Sequence, residues 1–256
     1  MQSPCLTLND PRGWITRRTR TGQPAMTTDD NLQPEAPKTR RALAKAERRQ
    51  TLIEATITSI AEFGLSGTTM ARVTEIAGTS IGLANFYFDS KERLFEAVLQ
   101  HLADEERTLW QTRNADATLT ASERLIALVD ARFHPRSCDR EKLAVWFAFW
   151  GDAGARDIYR RIVGSMDEER LEATVAMIES LGRASGAPHH DARQTALGLE
   201  AFYDGLWLNL LLYPDDFKRL ACRQRAIEHL AALFPSQIAV PQTVATRDTT
   251  TSKPRV

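Results

Sequence analysis

The chain lacks most of the features that announce common chemistries. Its 256 residues hold three cysteines, Cys5, Cys138 and Cys222, odd in number and far apart. That scatter argues against a disulfide framework, and no C-x-x-C or His/Cys spacing marks a metal site. No apolar run approaches the ~20 residues of a membrane span. The N-terminus has no apolar segment of the secretory type. Charge of either sign is not in excess, because 33 Lys and Arg balance 33 Asp and Glu, so the total predicts no acidic partner. A glycine-rich phosphate loop and a nucleophile–base pairing are both missing. The five histidines are scattered, His189-His190 beside Pro188 included, and form no visible site. These absences disfavour an enzyme. They predict a soluble, cytoplasmic protein with no metal, cofactor or membrane partner, long enough for one or two domains with a real core.

What is present centres on Thr68 to Phe88, TTMARVTEIAGTSIGLANFYF. Met70, Val73 and Ala77 recur at i, i+3 and i+7, one face of a short helix with Thr69 as its N-cap. Gly78 suits the left-handed corner that ends this helix, and Ser80 caps a second helix of about two turns. Two short helices joined by a tight glycine turn make a helix-turn-helix, whose second member enters the DNA major groove. Just upstream, residues 38–49 carry Lys38, Arg40, Arg41, Lys45, Arg48 and Arg49 against Glu47 alone. By itself this is a solvated charge run; before a helix-turn-helix it is a footprint for phosphates.

The pattern T-T-x-x-x-[IV]-x-x-x-A-G-x-S-x-G-x-x-x-x-Y-F-x-x-K-x-x-L resembles the signature of tetracycline-repressor-like (TetR) regulators. It is met at Thr68, Thr69, Val73, Ala77, Gly78, Ser80, Gly82, Tyr87, Phe88, Lys91 and Leu94. Thr79 stands where Val is usual and Ala84 where a larger aliphatic residue packs, with Phe86 a candidate to fill that volume. The resemblance implies that Thr79, Ser80, Ile81, Gly82, Leu83, Asn85 and Tyr87 lie on or beside the recognition helix, with Thr69 and Lys91 as phosphate anchors. The chemistry is suitable. Hydroxyls and Lys bind phosphate, Asn pairs bidentately with adenine, and Ile and Leu meet thymine methyls.

Periodicity extends the reading to an all-α chain. Residues 1–41 read as a disordered extension that contains a second possible start, Met26. A helix-turn-helix domain covers 42–93, a helical ligand-binding and dimerisation domain 94–234, and a loose tail 235–256. Within this scheme helix one runs from about Ala42 to Phe63 and ends at Gly64. Ser90 caps a long helix to about Thr112, and Thr120 with Glu123 forms a capping box. Gly186-Ala187-Pro188 breaks the chain ahead of two final helices, about Asp191–Leu212 and Asp215–Phe234. The first of these is apolar nearly all round. Burial on two sides is easiest at a subunit interface, as the TetR resemblance also implies for a homodimer; a wholly intramolecular core is the alternative.

Two segments point to a ligand. Glu200, Tyr203, Asp204 and Trp207 share one helical stripe, and Trp146, Phe149 and Trp150 share another. Tryptophan faces beside carboxylates suit a quaternary ammonium. The plainer alternative makes the aromatics core and pairs the acids with arginines such as Arg156 or Arg160. W-x-A-F-W (Trp146, Ala148, Phe149, Trp150), D-G-L-W-L (Asp204 to Leu208) and R-R-Q-x-L-I-x-A-T (Arg48 to Thr56) resemble the choline-responsive, betaine-pathway repressor subgroup, although Asn209 replaces its usual Arg. The function implied is a repressor released from double-stranded operator DNA by a small effector, choline or another quaternary ammonium; the alternative is a TetR-like repressor with a different hydrophobic or cationic effector. A ligand-free helical adaptor is the rival of a different class, to be separated by whether a small cation releases the protein from DNA.

Overall fold

The computed structural model describes residues 40–185 and 191–239. Among them, every regular element is a helix. The first, α1 (Arg40–Gly67), turns Leu52, Ile53, Ile57 and Ile60 inward. Its regular path breaks at Gly64, as expected, at φ +70°, and a further short turn runs on to Gly67. A Cβ at Gly64 would meet no atom within 4 Å, so the backbone angle rather than space calls for glycine.

Local chemistry sets the next elements. Thr69 Oγ1 accepts from the Arg72 amide at 3.2 Å and opens α2 (Met70–Ile76). Gly78, at φ +61°, makes the turn. Ser80 Oγ then accepts from the Leu83 amide at 3.2 Å and opens α3 (Ile81–Tyr87). Each such cap contributes about 1 kcal/mol. Neither seven-residue helix is stable alone; Val73, Ala84 and Phe88 bury completely or nearly so and hold them to the core. Phe86 does not fill the space beside Ala84. Its ring is 70% exposed, because that position of α3 points away from the core.

Ser90 caps α4 (Lys91–Asn114), about 36 Å long at 1.5 Å per residue. Its first turns supply Leu94 and Val98 to the same buried cluster that holds Val73 and Ala84. The predicted capping box is present at the start of α5 (Ala121–Arg132): Glu123 takes the Thr120 amide at 2.8 Å while Thr120 takes the Glu123 amide. Asp139 caps α6 (Arg140–Gly151). There follow α7 (Arg156–Ser185), α8 (Ala192–Leu212) and α9 (Arg219–Leu233). The last starts four residues later than periodicity suggested, after a turn in which the Phe217 amide bonds the Tyr213 carbonyl. The break at 186–188, the His189-His190 pair, the extension with Met26 and the tail from 240 lie outside the described residues. The tail does not begin loose: Ile238 is buried and its amide donates to the Phe234 carbonyl.

Within one chain α8 is buried on one face only. Ala196, Leu199, Tyr203, Leu206 and Trp207 point inward, while Leu197, Leu208 and Leu212 are 38–55% exposed. No helix among the described residues is long and apolar enough to cross a membrane.

Candidate functional site

Two surfaces gather the chemistry. On the first, Thr69, Ser80, Ile81, Gly82 and Asn85 are exposed, and Thr79, Leu83, Tyr87 and Lys91 half-buried. The Thr69 and Ser80 hydroxyls already serve as caps, which leaves their remaining hydrogen-bonding capacity outward. Lys91 is less free than expected. Its ammonium donates to the Leu65 carbonyl at 3.0 Å and lies 5.1 Å from the Phe95 ring centroid. Two of its three N–H donors are left for other acceptors. Alongside, the first turns of α1 expose Arg41, Lys45, Arg48 and Arg49.

The second is a cavity of about 50 Å³ to which α4, α5, α6, α7 and α8 all contribute. Trp146 and Trp150 each meet Tyr159 edge to face at 6.1 Å, and Trp207 closes another wall. The indole N–H of Trp207 donates to the Arg132 carbonyl at 2.9 Å, and the Arg132 guanidinium stacks 3.9 Å from the Trp207 ring centroid. Arg132 also binds Glu106 at 2.6 Å and Asp204. Arg170 binds Glu200 at 2.8 Å, Asp167 at 3.0 Å and Glu106 at 3.5 Å. Tyr159 adds its hydroxyl to Asp167 at 3.1 Å.

Four carboxylates thus share two guanidiniums, and with all of them ionised two negative charges remain in excess. The strain of that arrangement is unequal. Burial pushes the Asp167 and Asp204 carboxyls above the usual carboxylate range, against the pull of Arg170 on the first and Arg132 on the second. Burial acts on Glu200 as well, but Arg170 and Arg132 outweigh it and hold that carboxyl low. Asp167 and Asp204 are therefore the groups that a further cation would relieve most.

Of the residues expected at the ligand site, Trp146, Trp150, Asp204 and Trp207 line the cavity. Phe149 instead packs on Phe95 of α4 at 5.8 Å, Tyr203 packs on Phe133 at 6.2 Å, and Glu200 stands behind Arg170. The pairing of acids with arginines is real, but the partners are Arg132 and Arg170. Among the described residues Arg160 pairs only with exposed Asp157. Among the described residues no cluster of His, Cys, Asp and Glu could hold a metal, and burial pushes the Cys138 thiol up to about 12, away from reactive thiolate.

Comparison with known proteins gives these surfaces a context. A family model for bacterial regulatory proteins of the tetR family matches residues 52–98. A second, for the C-terminal part of BetI-type transcriptional repressors, matches residues 121–235. An HTH-type transcriptional regulator named BetI from Paraburkholderia phymatum is 33% identical over 195 residues, 75% of this chain and 95% of the relative. This chain belongs to the TetR family. Its C-terminal half is of the BetI type, and the family is one of transcriptional regulators rather than enzymes. A regulator from Pseudomonas aeruginosa PAO1 has the same fold at 28% identity and a TM-score of 0.65, over 75% of this chain and 92% of that one. Another from Saccharomonospora viridis, solved in complex with choline, shares the fold at 21% identity and a TM-score of 0.58, over 72% of this chain and 96% of that one.

In this TetR-family chain, sequence reasoning missed Glu106, Arg132, Tyr159, Asp167 and Arg170 as cavity residues. A signal existed on α7, where Tyr159, Val163, Met166 and Arg170 follow one helical stripe with Asp167 beside it. A charged residue ending an apolar stripe asks for a buried partner. None of this says which helix supplies that partner.

Proposed function

We propose that this regulator is a homodimeric repressor released from its operator by a small quaternary ammonium such as choline, and that it controls genes for glycine betaine synthesis in the cytoplasm. The observation that carries the reading is the cavity. Indole and phenol walls attract a cation that cannot donate an ordinary N–H bond, and the excess of carboxylates supplies the charge. The names of the BetI relatives and the choline in the Saccharomonospora viridis regulator agree with it. A second reading, the same repressor with a different cationic effector, is favoured by Arg132. It already covers the Trp207 face, so the space left lies toward Trp146, Trp150 and Tyr159.

In this proposal residues 42–93 read DNA, and 94–234 bind effector and dimerise through α8 and α9. The exposed Leu197, Leu208 and Leu212 would then be covered by the partner chain. The two functions have physical links. Thr58 of α1 donates to Glu141 of α6 at 2.8 Å, and Gln50 of α1 lies 3.3 Å from His101 of α4. Both α4 and α6 carry a cavity residue further along, Glu106 and Trp146. Release requires the effector to bind the DNA-free arrangement better than the DNA-bound one, since equal affinity shifts nothing.

The test is binding of the purified protein to its own upstream DNA with and without millimolar choline. Release in the wild type, lost in Trp150→Ala protein that still binds DNA, is the expected outcome. DNA binding indifferent to choline would remove choline and leave the regulator. For the DNA face, Lys91→Ala is expected to weaken binding to all sequences alike and to lower the slope of log affinity on log salt by about one per subunit. A changed operator preference in that variant would show that Lys91 reads bases instead.

A further inference from the structure

Phe86 is among the most exposed apolar side chains of the described residues, at 70%. A single exposed ring ordinarily needs no explanation. The surroundings of this one supply a reason. It stands on the recognition helix α3, one turn beyond Gly82, where a Cβ would meet nothing nearer than Ser80 Oγ at 3.9 Å. The ring is propped by Tyr87, edge to face at 5.2 Å, and Lys45 Nζ of α1 lies 5.8 Å from its centroid. Arg41, Lys45 and Arg48 fall at i, i+4 and i+7 on α1, are exposed, and have no ion pair among the described residues.

An apolar tip beside unpaired cations complements one kind of surface. The cations match phosphates. A phenyl ring has no donor or acceptor for a base edge, but the major groove offers it the C5-methyl group of thymine. We propose that Phe86 is a specificity-determining residue that packs its ring on a thymine methyl in each half-site, with Lys45 on the adjoining backbone. The inference rests on DNA binding by α3 and is independent of the effector.

The experiment first selects, from random duplexes, the sites bound by the full-length protein. It then replaces their thymines one at a time by deoxyuridine, which removes only the methyl group. At one thymine per half-site the wild type is expected to lose about fourfold in affinity, the value of one buried methyl-sized group. Phe86→Ala should be weaker on the thymine duplex and lose nothing further at that position, while keeping the wild-type losses elsewhere. Phe86→Leu should retain part of the discrimination. Because the ring is exposed, neither variant removes a core contact. Losses from Phe86→Ala and deoxyuridine that multiply at every thymine, or an alanine variant equal to wild type, would overturn the proposal. Failure of the wild type to select any duplex would strike the DNA reading beneath it instead.

Discussion

Arg132→Ala is expected to destabilise the protein by about 3–5 kcal/mol, the usual cost of removing one partner from a buried ion pair. Only 3% of the Arg132 side chain is exposed, and it holds Glu106 at 2.6 Å, Asp204, and the Trp207 face. Alanine would leave buried Glu106 with Arg170 as its remaining guanidinium partner, take from half-buried Asp204 the guanidinium that binds it, and leave Trp207 without its stacked cation. The loss should depend on pH in a defined direction. Without Arg132, desolvation raises the Asp204 carboxyl further above its unfolded value. A group whose folded pKa is raised contributes stability below its unfolded pKa and loses it as pH rises through the folded one. The deficit of the variant should therefore be largest near neutrality and shrink toward mildly acidic pH. Urea unfolding of both proteins at two pH values and matched concentration would measure this, since dimer stability depends on concentration. A deficit below about 1 kcal/mol at neutral pH would mean that the cluster is hydrated rather than buried.

Asp204→Asn is expected to leave DNA affinity unchanged and to weaken effector binding by about tenfold, below the loss from a fully buried charge pair because the Asp204 side chain is 37% exposed. Asparagine keeps the size of the side chain and an oxygen for Arg132, so the cluster can persist. What changes is charge: three carboxylates would then face two guanidiniums. The wild type should lose cation affinity as pH falls through the raised pKa of Asp204, because a protonated carboxyl attracts no ammonium. The variant should keep only the part of that dependence that comes from Asp167. Choline titrations followed by tryptophan fluorescence at several pH values provide the readout. An unchanged response in Asp204→Asn would remove Asp204 from the effector site.

Sequence alone settled the elements whose causes are local. The Thr69, Ser80, Ser90 and Thr120 caps each act within three residues, and Gly64 and Gly78 answer to a backbone angle at a single position. The helix-turn-helix was legible for that reason, and the TetR-family assignment with it. The stripes holding Trp146, Trp150, Asp204 and Trp207 were legible too, since a 3.6-residue period states which face of a helix turns inward.

Tertiary structure alone decided what those faces meet. Arg132 reaches Glu106 across 26 positions and Asp204 across 72, and Arg170 reaches Glu106 across 64. The same packing kept Phe149 and Tyr203 out of the cavity lining and turned Phe86 outward. Periodicity carries no information about which helices become neighbours. The balance of buried charge, and so the kind of ligand a cavity accepts, is a property of that neighbourhood: a carboxylate becomes an available site or a satisfied partner only when the distance to its nearest guanidinium is fixed.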